Sequence, residues 1–297
     1  MSEFWTVDFV PLLAASLSAL ACALVGNLLV LTRRAMAADA LSHAVVPGVV
    51  IAVALAGVAG SVVVLIGGVA SAFAASALVA FLVRAGRVEQ GTALGVVFTI
   101  FFAFGILVLE WSGLARTGFD VHHVITGYLE GLIWVGPEAG EGGVLAMAAT
   151  LPPVVFELAL VLVLVVAILA VFRKELALLA FDPVFARASG MPVGLLEAAL
   201  LTATALACTA AFKSVGVVLA VAMIVCPAAT ARFLTQRLST QVALSAVIAL
   251  GTVLLGYGAA ILAPCAVGSA LALNAAGTIG AVAGLLLAGT ALVRARA

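Results

Sequence analysis

Charge is the scarcest feature of this sequence. Only 9% of its 297 residues are Asp, Glu, Lys or Arg, where a soluble domain carries roughly a quarter, and 66% are hydrophobic. Thirteen basic side chains balance thirteen acidic ones. The chain therefore has neither the electrostatic footprint of a nucleic-acid binder nor an acidic tail. A water-soluble globule of this length could not cover its surface with so few charges. Cys22, Cys208, Cys226 and Cys265 stand in apolar segments without CxxC spacing, so they read as small buried hydrophobes, not a disulfide scaffold. There is no GxxxxGKS/T phosphate loop, no HExxH zinc motif and no GxSxG elbow, which removes the usual devices for ATP binding, zinc proteolysis and acyl transfer. Three histidines and few acids within the apolar runs argue against a proton-relay enzyme. The N-terminus, Met-Ser-Glu-Phe-Trp, has no basic n-region, so no cleavable signal peptide is expected.

What the chain has in abundance is apolar length. At about 20 residues per crossing of a hydrocarbon core roughly 30 Å thick, there is room for nine or ten helices. Apolar runs predict nine spans, at 10–32, 40–58, 62–83, 91–110, 152–172, 195–212, 215–234, 241–262 and 271–293. All are helical, because a backbone in lipid must satisfy its own hydrogen bonds. A tenth apolar stretch, 124–151, is broken by Gly136, Pro137, Gly140, Gly142 and Gly143, and reads as a re-entrant or short helix. The fold class is all-α and polytopic, a single membrane domain over 1–297.

The basic residues set the orientation. With the N-terminus outside, the C-terminus cytoplasmic and 124–151 not crossing, Arg33, Arg34, Arg84, Arg87, Arg173, Lys174, Arg187, Arg232, Arg237, Arg294 and Arg296 all fall on the cytoplasmic side. Only Arg116 and Lys213 fall outside. The longest polar interval on that side, 173–194, carries a short helix signature. Asp182 can cap it, Pro183 suits its first position, and Gly190 suits the residue past its end. It reads either as an interfacial amphipathic helix or as a docking helix for a cytoplasmic partner.

An ionisable residue inside a span costs about 2.5–3.5 kcal/mol on insertion scales, so each is a functional candidate. Asp39 and His43 are four apart, which puts both on one helix face within reach of one cation. Ser42 lies beside them, and Pro47-Gly48 one turn on can bend the helix and free carbonyls. One oxygen and one nitrogen donor suit Mn²⁺, Fe²⁺ or Zn²⁺; an Asp–His hydrogen bond that merely fixes packing fits the spacing equally well. His122 and His123 follow Asp120 and precede Glu130. Adjacent histidines diverge on a helix, and a surface loop is the favoured reading. Cys226-Pro227 interrupts 215–234, where a kinked helix with a buried thiol is favoured over a soft-metal ligand. Glu89 fits a dipole-compensating helix start.

Several blocks resemble the membrane permease subunits of ABC importers for zinc, manganese and iron. They are Arg33-Arg34 with Asp-Ala-Leu-Ser-His-Ala-Val-Val-Pro-Gly at 39–48, and Glu89 leading into the span that contains Gly95. Two more follow: Phe-Asp-Pro-Val-Phe-Ala-Arg-Ala-Ser-Gly-Met-Pro at 181–192, and the run 214–231 with its Cys-Pro. The resemblance covers about 30–235 with these blocks in family order. Cys226 departs from the family's usual apolar residue, and His122-His123 with Thr126-Gly127-Tyr128 from its usual Leu-Phe-Gly.

The resemblance implies a permease of the bacterial inner membrane, paired with a second copy or a paralogue to form the path. A cytoplasmic ABC ATPase docks beneath it and an extracytoplasmic metal-binding protein above. It implies no permanently bound cofactor, since the divalent metal is cargo, and no catalysis by this chain, since ATP hydrolysis belongs to a separate subunit. Asp39 and His43 become the expected transient metal ligands, with Cys226, His122, His123 and Glu130 as weaker candidates. The coupling segment is 175–192, with Phe181, Asp182, Pro183, Ala186, Arg187 and Gly190 meeting the ATPase. Pro47, Gly48 and Pro227 are expected helix breaks. Two other classes compete. A secondary metal transporter would keep Asp39/His43 without ATP, but matching halves with broken helices are not evident. A structural scaffold would explain the small-residue packing surfaces and leave Asp39/His43 unused.

Overall fold

A computed structural model describes residues 7–57, 60–113, 129–132, 134, 150–267 and 273–296, and among these there is no β-strand. The elements are α1 (Phe9–Leu31), α2 (Ala35–Ala56), α3 (Ser61–Ala85), α4 (Gln90–Trp111), a 3-10 turn (Leu129–Gly131), α5 (Pro153–Val171), α6 (Arg173–Phe181), α7 (Pro183–Ala188), α8 (Val193–Leu234), α9 (Leu238–Val267) and α10 (Ala275–Arg296). Among the described residues nine segments are long and apolar enough to cross a membrane. They coincide with the expected spans to within a few residues. The outward surface is apolar as well: Leu55, Ile66, Phe81, Leu107, Val163, Leu254 and Leu285 are all exposed, which lipid tolerates and water would not. Most of 124–151 lies outside the described residues. Within it, Trp134 donates its indole N–H to the Thr150 carbonyl at 3.0 Å.

α1 is the central post, and small residues let other backbones reach it. A Cβ placed on Gly26 would lie 1.8 Å from the Ile224 carbonyl oxygen. Polar side chains tie α8 and α9 to it as well. The Ser18 and Ser214 hydroxyls meet at 3.2 Å, Asn27 donates to the Ser245 hydroxyl at 2.7 Å, and Tyr257 donates to the Asp8 carboxylate at 2.9 Å.

These contacts reveal a reversal inside α8. Arg34 pairs with Glu197 and Ser18 meets Ser214, so the first arm runs antiparallel to α1. From Ser18–Ser214 to Gly26–Ile224 the second arm runs parallel to it. The arms, Val193–Phe212 and Ser214–Leu234, are therefore two spans joined near Gly216. That residue has φ 81° and ψ 168°, a region essentially reserved for glycine.

The breaks expected at Pro47-Gly48 and Pro227 require correction, because α2 continues through Pro47 and Gly48 and the second arm of α8 through Pro227. Proline's fixed φ is itself helical; it removes one N–H and crowds one carbonyl without reversing the chain. Glycine at positive φ is what turns this chain. Gly48 serves packing: its Cβ would fall 2.1 Å from the Gly67 carbonyl oxygen, so α2 and α3 touch there.

The basic end of the bundle is built from the short turns. Arg33 (φ 57°) and Arg87 (φ 51°) take left-handed conformations after α1 and α3. Arg34 and Glu197 pair at 2.9 Å, and the Arg294 guanidinium donates to the Phe233 carbonyl. α7 follows its sequence signature closely. The Asp182 carboxylate accepts from the Phe185 N–H at 2.8 Å, Pro183 opens the helix, and Gly190 takes φ 73° past its end.

Candidate metal-transit site

Asp39 and His43 lie on the second and third turns of α2, near its basic end. Their helical spacing brings His43 Nε2 to 3.8 Å from Asp39 Oδ1. Two donors bound to one metal at about 2.1 Å sit roughly 3.0–3.4 Å apart in octahedral or tetrahedral geometry. A few tenths of an ångström of side-chain adjustment would bring the pair onto one ion. Asp39 is exposed, with 57% of its side chain accessible, and His43 is largely covered at 21%.

α4 holds the imidazole. Phe98 and Phe102, one turn apart, place their ring centroids 4.6 Å and 5.1 Å from that of His43. α4 approaches this closely because Gly105 packs against Pro47, where a Cβ would stand 3.0 Å from the proline nitrogen. Pro47 itself offers no N–H to the His43 carbonyl, its helical partner by position. On the neighbouring carbonyl of Ala44, the Ser71 hydroxyl donates at 2.6 Å. The buried Nδ1 of His43 has no hydrogen-bond partner among the described residues. A resident metal site normally has a carboxylate or carbonyl there, worth 10–100-fold in affinity.

Among the described residues no group of three or more His, Cys, Asp and Glu side chains could hold a metal. Asp39 and His43 thus present two candidate donors on one face, with the Asp39 carboxylate accessible. Cys226 is a free, half-buried thiol at the edge of the main core. His122 and His123 lie outside the described residues, and Glu130 falls in the 3-10 turn.

Sequence reasoning passed over two acids inside spans. Glu197 was detectable by the same cost rule that singled out Asp39, and its role is the pair with Arg34. Glu157, near the start of α5, lines a small cleft with Val64 and Thr209.

Residues 8–132 and 146–285 match the model of a family described as the ABC 3 transport family. The chain is 37% identical over 237 residues to the manganese transport system membrane protein MntD of Bacillus subtilis, covering 80% of this chain and 77% of that one. It is 32% identical over 216 residues to the zinc transport system membrane protein TroD of Treponema pallidum, covering 72% and 56%. A solved structure described as PsaBC from Streptococcus pneumoniae in complex with Fab has the same fold. Its TM-score is 0.77 at 23% identity, over 97% of this chain and 93% of that one.

Proposed function

The chain belongs to the ABC 3 transport family, and on that premise we propose that Asp39 and His43 are the ligands through which a metal ion passes. The protein is a membrane-spanning permease subunit of an importer of divalent transition-metal ions, not itself an enzyme. The observation that carries the site is the open two-donor pair on α2, with one oxygen and one nitrogen 3.8 Å apart.

Such a pair is half of a site. A second permease copy facing it would supply another carboxylate and imidazole, and four O/N donors suit Mn²⁺, Fe²⁺ or Zn²⁺. Permeation asks for ligands good enough to replace hydration yet weak enough to release. The unsupported Nδ1 and the accessible carboxylate favour release. The cargo arrives from an extracytoplasmic metal-binding protein and leaves toward the cytoplasm.

The energy comes from a separate ATPase subunit beneath the membrane. α7 suits its docking: Val184 and Phe185 are exposed at the basic end, as is Phe181 beside them, whereas Ala186, expected to meet the ATPase, is instead buried against the bundle. Asp182, Pro183 and Gly190 hold that helix in shape, and Arg187 lies on it. ATP binding would close the ATPase pair and shift the permease between two states that differ in which side Asp39 and His43 face. The positive-inside rule puts the basic end in the cytoplasm, with the N-terminus outside.

The test is ATP-dependent uptake in liposomes that hold the permease, its ATPase and its binding protein, with Mn²⁺, Zn²⁺ and Fe²⁺ in competition. Asp39→Ala/His43→Ala is expected to abolish uptake in complexes that still assemble. Unchanged uptake in the double variant would overturn the site, and equal uptake with and without ATP would make the protein a secondary carrier.

A further inference from the structure

A cavity of about 550 Å³ opens between α2, α3, α4 and the first arm of α8. Its mouth is at the basic end, where Arg34, Arg84 and Arg187 line it together with Glu197. Glu197 is already paired with Arg34 at 2.9 Å. Among the described residues neither Arg84 nor Arg187 has a carboxylate partner, so two guanidinium charges at the mouth are uncompensated. The interior is different. From Arg84 the slot follows α3 inward past Ala80 and Ala77 to Phe73, with Leu94 and Leu201 on the opposing walls. The Thr204 hydroxyl is turned back onto the Leu200 carbonyl of its own helix at 2.7 Å.

Its length is informative. Arg84 to Phe73 is eleven residues of helix, about 16 Å at 1.5 Å per residue, close to half of a hydrocarbon core roughly 30 Å thick. The slot therefore runs the depth of one leaflet, cationic at the headgroup level and, apart from the Ser76 and Thr204 side chains, mostly apolar below. The transported cation is the wrong occupant, because two unpaired guanidiniums repel it and the one carboxylate is engaged.

We propose that this slot binds one anionic phospholipid of the leaflet on the basic side, its phosphate between Arg84 and Arg187 and an acyl chain along α3 toward Phe73. Basic pockets between membrane helices suit such headgroups. Because Arg84 stands in the last turn of α3 and Arg187 on α7, the bound headgroup bridges the end of α3 and the segment proposed to dock the ATPase. The lipid thus steadies that segment from the membrane side.

Native mass spectrometry of the assembled permease, offered phosphatidylglycerol and phosphatidylcholine with identical acyl chains, tests this directly. Each guanidinium is expected to favour the anionic lipid about fivefold, so wild type retains phosphatidylglycerol preferentially. Arg84→Gln, at an exposed position, lowers that preference about fivefold. Ala77→Phe fills the slot and lowers retention of both lipids. Excess inorganic phosphate leaves the bound lipid in place. Equal retention of the two lipids by wild type overturns the proposal, as does undiminished phosphatidylglycerol retention in both variants. Displacement by phosphate alone, or by added ATPase, overturns it in favour of a small anion or a protein contact. Retention is read without transport, so its failure leaves the metal-transit reading standing.

Discussion

Gly26 of α1 and Ile224 of α8 touch backbone to backbone, with 1.8 Å between a Cβ built on the glycine and the isoleucine carbonyl oxygen. That distance leaves no room for even a methyl group. Gly26→Ala must push the second arm of α8 off the central post, and overpacking of this kind costs about 1–3 kcal/mol when side chains can yield. A backbone carbonyl yields less, so the expected loss is at the top of that range or beyond it. Thermal unfolding of the purified variant in detergent checks this; a melting temperature equal to wild type would mean the two helices are not in contact.

Gly216→Ala should also destabilise, for a different reason. At φ 81° and ψ 168° the position belongs to a region essentially closed to side-chain-bearing residues, costing of order 1–3 kcal/mol. Gly190, at φ 73° but on the exposed turn after α7, gives the comparison. Alanine there should strain the same kind of dihedral while leaving the membrane bundle intact. Melting curves should separate the two variants, with Gly216→Ala lower.

The spans were legible because lipid imposes one simple rule on the chain: long apolar runs, closed on themselves as helices. The capped helix at 183–188 was legible for a similarly local reason, since Asp182, Pro183 and Gly190 each act on the backbone beside them. The reversal within 193–234 was half legible. Lys213 divided the apolar runs correctly, yet Pro227 drew attention that belonged to Gly216, because sequence displays proline's missing N–H and hides a glycine's dihedral. The candidate site was legible only as far as Asp39 and His43 share a helix face. Its aromatic clamp was not, since Phe98 and Phe102 come from another helix and look like ordinary lipid-facing residues in sequence. The pair of Arg34 with Glu197 joins positions 163 apart, and no local pattern announces it.

Gln241 offers an opposite kind of test. It is fully buried, and neither its amide oxygen nor its amide nitrogen has a hydrogen-bond partner among the described residues. Leaving a buried polar group unmade costs about 1–3 kcal/mol, and replacing it with an apolar side chain of similar shape removes that cost. Gln241→Met is therefore expected to match or exceed wild-type thermal stability, with uptake retained. A clear fall in melting temperature would mean that the amide has a partner in the working assembly, such as a bound water or a second copy.

Asp182 tests whether local helix chemistry at α7 reaches transport. Its carboxylate accepts from the Phe185 N–H at the head of a six-residue helix, a length that does not hold itself together without caps and tertiary anchors. Removing an N-cap costs about 0.5–2 kcal/mol, enough to unravel α7 while the membrane helices, which do not depend on it, stay folded. Asp182→Ala should then lower ATP-driven metal uptake and the stimulation of the partner ATPase by loaded binding protein, with little change in the melting of the bundle. Asp182→Asn keeps the cap and discards the charge, so it should recover most of both activities if shape is what α7 contributes. Recovery failing in the Asn variant would mean instead that the carboxylate itself meets a charge on the ATPase. Equal uptake in wild type and Asp182→Ala would remove α7 from the coupling path.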